Sequence, residues 1–163
     1  WARSAGRVWA EATPAFANGV LVLVQHGAHG FDPYTEHLLA LDAATGEQRW
    51  SAELEGELNA LPLVQNGVVY IAGDICTAWR MAGMSMKCDG ARVIRFYALD
   101  AESGDVQWSL DLPGELVTDP MISGNVAIIQ GTFGMLSAID LELKTERWRV
   151  LLVDLVAPVR LRV

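Results

Sequence analysis

Ala40-Leu41-Asp42-Ala43-Ala44-Thr45-Gly46-Glu47-Gln48-Arg49-Trp50 is a phrase that the chain repeats. The phrase returns as Ala98-Leu99-Asp100-Ala101-Glu102-Ser103-Gly104-Asp105-Val106-Gln107-Trp108. It returns again, altered, as Ala138-Ile139-Asp140-Leu141-Glu142-Leu143-Lys144-Thr145-Glu146-Arg147-Trp148. Asp and Trp are eight residues apart each time. Short apolar alternations recurring with a turn at a period of roughly 40 residues or more mark a repeat architecture.

A second landmark lies upstream of each copy. Pro14, Pro62 and Pro120 each precede a turn pair: Asn18-Gly19, Asn66-Gly67 and Gly124-Asn125. Asn-Gly between apolar runs is a strong hairpin signal, since a type I′ turn needs positive φ at both central residues. The runs beyond these pairs, 20–24, 68–72 and 126–130, are short and β-branched, so they read as buried strands. Each copy parses as four strands. The first begins near the Pro, the second comes after the turn pair, the third ends in Ala-Leu-Asp or its variant, and the fourth ends in Trp. Asp opens the last turn by bonding its own backbone, and Gly46 or Gly104 supplies a left-handed residue near its close. Leu143 and Lys144 replace Thr45 and Gly46 in the third copy, which predicts an altered turn and a less regular sheet.

One such sheet cannot bury both faces alone, whereas radial stacking buries them against neighbours. The expected fold is all-β: a β-propeller fragment of about three four-stranded blades with partial strands at both ends. The blades fall at about 11–51, 59–109 and 117–149, and 150–163 begins a further blade at Ala157-Pro158. Ala40, Ala98 and Ala138 with Trp50, Trp108 and Trp148 suit packing in which a ring from one blade lies over a small Ala of the next.

The phrase Ala-x-Asp-x-x-Thr-Gly-x-x-x-Trp resembles the tryptophan-docking motif of quinoprotein-like (PQQ-like repeat) β-propellers. The resemblance covers nearly the whole chain and is specific in two copies of three. It implies a ring of seven or eight blades, so the chain is expected to be a piece of a longer protein, or to associate with another copy. Trp1 falls where a preceding blade would end. The family spans PQQ-dependent alcohol dehydrogenases and non-enzymatic scaffolds, among them the propeller lipoprotein of the outer-membrane barrel-assembly machine. The motif therefore names the blade and leaves the chemistry to the sites.

The charge balance is acidic, with 12 Lys and Arg against 20 Asp and Glu, a net −8. That disfavours nucleic acid or an anionic membrane surface as a main partner. No apolar run has the length of a transmembrane helix. Cys76 and Cys88 lie in one insertion; a disulfide between them would imply an oxidising compartment, and two free thiols are the alternative. The resembling dehydrogenases carry a disulfide between adjacent cysteines beneath their cofactor, and a pair twelve residues apart lacks that feature.

The blades differ in one interval. Pro120 to Asp140 is 20 residues, Pro14 to Asp42 is 28 and Pro62 to Asp100 is 38. The extra residues fall between second and third strands, on the face that also carries the blade-to-blade connections. Loops on a rigid scaffold are where binding usually resides. The first insertion, 26–37, holds His26, His29, Asp32, Tyr34, Glu36 and His37. That set reads as an exposed polar loop ahead of a metal cluster. The second, about 73–95, holds Trp79, Arg80, Met81, Met84 and Met86 between its cysteines. Three readings stand for those methionines: local packing, an adaptable partner surface, and soft-metal ligation. Trp79 and Arg80 belong to residue types enriched at interface hot spots. His29, Tyr34, Trp79, Arg80, Met81, Met84 and Met86 are therefore the candidate interaction residues.

No Gly-x-Ser-x-Gly elbow and no glycine-rich phosphate loop occurs. Asp42, Asp100 and Asp140 recur at equivalent positions and read as turn residues. The function expected is a non-catalytic scaffold of the bacterial cell envelope, periplasmic or extracellular, with a protein partner and no cofactor in this segment. The alternative is a piece of a quinoprotein dehydrogenase whose PQQ and Ca²⁺ site lies outside it.

Overall fold

The computed structural model describes residues 13–25, 35–83 and 85–152. Trp1, His26, His29, Asp32, Tyr34, Met84 and Ala157-Pro158 lie outside them, as does the predicted start of a further blade beyond 152. The architecture is all-β, in three antiparallel four-stranded sheets. The first runs β1 (Ala15–Ala17), β2 (Val20–Gln25), β3 (Thr35–Asp42), β4 (Gln48–Glu55) in spatial order. The second is β5 (Leu63–Gln65), β6 (Val68–Cys76), β9 (Arg92–Asp100), β10 (Val106–Pro113), and between β6 and β9 stands a separate ribbon of β7 (Trp79–Ala82) and β8 (Ser85–Cys88). The third is β11 (Met121–Ser123), β12 (Val126–Gly131), β13 (Met135–Asp140), β14 (Thr145–Leu151).

The turn geometry obeys the residue types. Asn18 and Gly19 take φ of 50° and 76°, and Asn66 and Gly67 take 53° and 77°, as a type I′ hairpin requires. In the third sheet the pair is reversed, and Gly124 supplies the left-handed residue at φ 57°. Asn125 instead sends its side-chain amide to the Asp140 and Glu142 carboxylates, each at 3.3 Å.

The recurrent phrase is one device built three times. Asp42 Oδ1 accepts the backbone N–H of Ala44 and Thr45, at 3.0 and 2.9 Å. Asp100 does the same for Glu102 and Ser103, and Asp140 for Glu142 and Leu143. In every copy the ladder slips by one residue just before the Trp. The bulged residues are Arg49, Gln107 and Arg147, and each reaches back to its own turn Asp. A bulge increases local twist and re-aims the next side chain. Here it sets Trp50 opposite Ala40, Trp108 opposite Ala98 and Trp148 opposite Ala138.

Several expectations are corrected. The fourth strand does not end in Trp: Trp50, Trp108 and Trp148 stand near its start, and the strand runs on because the third strand is long enough to pair with it. The β6–β9 ladder reaches Cys76 and Arg92, well past 72. The third turn keeps the geometry of the others, since Lys144 adopts the left-handed φ of 58° that Gly46 and Gly104 hold at 71° and 80°. A side chain in that region is strained where glycine is not.

Sheets one and two meet through the Trp50 ring, which is only 7 % exposed. Its Nε1–H donates to the Ala101 carbonyl at 3.0 Å. A Cβ on Gly104 would lie 2.6 Å from the ring, so only glycine admits this contact. The ring thus rests on the next blade's turn, while the motif Ala faces the Trp of its own blade. Tyr97 donates to the Glu55 carbonyl, and Arg95 joins Glu55 to Asp111. Between the second and third sheets, Gln65 Nε2 donates to the Gly124 carbonyl at 2.9 Å and Asp119 accepts the Leu61 N–H at 2.8 Å. Buried Val22, Leu38, Ile71, Phe96, Leu99, Ile129 and Ile139 fill the core. Trp108 packs edge-on against Tyr70 and Phe96 of its own blade, and Trp148 is 45 % exposed.

Candidate functional site

The linkers between blades define one face. The first crosses the end of β6 through paired bonds between Glu57 and Asp74. The second crosses the end of β12 at Leu116 and Gly131. Carboxylates hold both in place: Glu36 Oε2 accepts the Leu58 N–H, and Asp74 Oδ1 accepts the Leu116 N–H, each at 2.8 Å. Glu36 lies near the start of β3 and Asp74 near the end of β6, so the linkers share this face with the second insertion. Glu36 and His37 are consecutive strand residues and point to opposite sides of the sheet. Glu36 is buried and engaged with Leu58, which takes it out of the candidate metal set.

The second insertion is a built element. Cys76 and Cys88 form a disulfide with Cα atoms 5.7 Å apart. It closes the base of the β7–β8 ribbon, where Trp79 pairs with Cys88 and Arg80 with Lys87. Thr77 N–H donates to Ala91 O, and Asp89 and Gly90 N–H both donate to Ala78 O. Arg80 Nε meets Asp89 Oδ1 at 2.9 Å. Met81 is 56 % exposed, which corrects its reading as local packing. Met86 lies on β8, where it pairs with Met81. Of the candidate interaction residues, Trp79, Arg80, Met81 and Met86 lie on the strands of the ribbon.

Electrostatics distinguish this face. Burial raises the Asp74 pKa from its ordinary value; the Leu116 N–H opposes that, and the Glu115 and Glu57 charges reinforce it. Arg92, at the ribbon's base, pairs with Glu115 at 2.7 Å.

One residue of this face escaped the sequence reading. Phe133 is 88 % exposed, at φ 60° and ψ 24°, in the three-residue turn Thr132–Gly134 between β12 and β13. Its only sequence signal is an aromatic residue beside Gly134 in the shortest of the three loops.

The family model described as outer membrane protein assembly factor BamB matches residues 1–92 and 89–162. Among curated proteins, BamB of Yersinia pestis is 32% identical over 101 residues, covering 62% of this chain and 24% of the relative. BamB of Shewanella oneidensis is 28% identical over 109 residues, covering 67% and 26%. The chain thus spans about a quarter of the length of these relatives. In fold it is similar to BamB from Moraxella catarrhalis, with TM-score 0.53 at 22% identity, over 81% of this chain and 33% of that one. It is also similar to quinohemoprotein alcohol dehydrogenase ADHIIG from Pseudomonas putida HK5, with TM-score 0.57 at 16% identity, over 84% and 26%. Three sheets of one plan, and a family model that matches almost end to end, place this chain in the BamB family of PQQ-like repeat β-propellers.

Proposed function

We propose that the chain is a segment of a non-catalytic propeller that works as a protein-interaction scaffold in the bacterial cell envelope, engaged in outer membrane protein assembly. Its working surface is the face bearing 26–37 and 74–93. The observation that carries this reading is the ribbon: a two-stranded element outside every blade, stapled by a disulfide and carrying Trp79, Arg80 and Met81, with Arg92 at its base paired to Glu115 of the second linker. The disulfide supports an oxidising compartment, which in bacteria is the periplasm. Family membership supports the assembly role. Under this reading the segment binds no cofactor of its own. The dehydrogenase reading draws on likeness of fold alone, and fold does not carry chemistry.

The test replaces residues 77–91 of the full-length protein by an Asn-Gly turn. Co-purification with the outer membrane assembly machinery from detergent-solubilised envelopes is then measured beside the circular dichroism spectrum. We expect an unchanged β spectrum and loss of co-purification. Retained co-purification would remove the ribbon from the working surface.

A further inference from the structure

The short loop of the third blade presents a side chain that costs the fold. Phe133 is bulky, left-handed and 88 % exposed. Bulky residues avoid that backbone region, and such strain persists where function uses it. The loop is held rigidly. Thr132 N–H donates to the Glu115 carbonyl at 2.8 Å, and Thr132 Oγ1 accepts the Glu115 N–H at 3.2 Å. Val117, which is 53 % exposed, lies on the same crossing, and its N–H donates to Gln130 O at 3.0 Å. Aromatic anchors on a rigid frame bind with little ordering cost. The crossing that carries Val117 is acidic: Glu115 bonds Thr132, Asp74 holds the Leu116 N–H, Glu57 pairs with Asp74, and Arg92 is paired with Glu115.

We infer that Phe133 is the anchor of a docking surface, with Val117 beside it, for a protein that offers an apolar socket rimmed by Lys or Arg. Charge complementarity selects that occupant. A basic rim meets these carboxylates favourably, and an acidic one is repelled. This deepens the reading of the face as a scaffold surface and rests on it.

The test places photo-reactive benzoylphenylalanine at position 133 of the full-length protein in intact cells, and maps the adduct by mass spectrometry. We expect one partner protein, joined at an apolar residue flanked by Lys or Arg. The purified partner should bind Phe133→Asn roughly tenfold or more weakly, and Phe133→Trp as well as wild type. Asparagine tolerates the left-handed region, so Phe133→Asn should melt no lower than wild type. Unchanged affinity of Phe133→Asn overturns the inference. So does the absence of a protein adduct, or an adduct on lipid, on this chain or at an acid-flanked site. A captured partner outside the outer membrane assembly machinery leaves this surface standing and sinks the functional reading. Machinery that co-purifies while position 133 yields no adduct does the reverse.

Discussion

Asp42, Asp100 and Asp140 each tie a turn to itself. The Arg49 guanidinium, then the Thr45 N–H, hold the Asp42 pKa down to about 2. Backbone N–H donors come first for the other two, Ser103 for Asp100 and Leu143 for Asp140, and both are also lowered. A carboxyl lowered in the folded state contributes stability above the unfolded value near 4, and that stability is lost as pH falls through the folded value. Asp74 has the opposite sign. Its folded pKa is raised, so its contribution is complete below the unfolded value and is lost as pH rises through the folded one. Asp74→Asn keeps an Oδ1 acceptor for the Leu116 N–H and removes a charge facing Glu57 and Glu115. Urea midpoints across pH should therefore match wild type near pH 3 and exceed it increasingly toward pH 7; a lower midpoint at pH 7 would contradict this. The three turn aspartates were legible because spacing repeats them. Asp74 was not, since its partner lies 42 residues away, across a blade boundary.

Of the described sheets, the ribbon is the smallest, with two strands. An isolated two-stranded hairpin is marginal in water, and this one pairs with no blade. Closing a short loop with a disulfide contributes up to about 3 kcal/mol, here confined to the ribbon. Replacing Cys76 and Cys88 by Ser should speed proteolysis within 77–91 at least tenfold. The main melting transition should move by only about 2 °C or less, the size of a sub-kcal/mol change in a chain of this length. Limited proteolysis and calorimetry check both, and collapse of the main transition would show that the blades depend on the ribbon. The insertion was readable from the Pro-to-Asp interval. Its strands were not, because four residues such as Trp79–Ala82 are too few to show a period and no Asn-Gly marks their turn.

At the scale of the whole molecule, the two blade interfaces are unequal. The first uses Trp50 on Gly104, Tyr97 on Glu55 and Arg95 on Glu55. At the matching positions the third blade has Lys144, Ser137 and Met135. Among the described residues Ser137 Oγ is buried with no hydrogen-bond partner, a serine being too short to make the bond that Tyr97 makes. A buried hydroxyl left unpaired costs about 1–3 kcal/mol, and a Cβ at position 144 excludes the seat that Trp50 finds at Gly104. Recurring Trp residues made the stacking legible in outline. The seat itself was not legible, because the repeat pattern put the ring over Ala and the structure puts it over the turn glycine.

A double-mutant cycle of Trp50→Ala and Gly104→Ala probes that seat. Alone, Gly104→Ala adds a left-handed penalty of about 1–2 kcal/mol to an overpacking cost of about 1–3 kcal/mol. With Trp50 already removed, only the backbone penalty remains. The unfolding free energies should therefore be non-additive by about 1 kcal/mol or more. Additivity within about 0.3 kcal/mol would mean that residues 50 and 104 do not touch, and that the blades are not stacked as described.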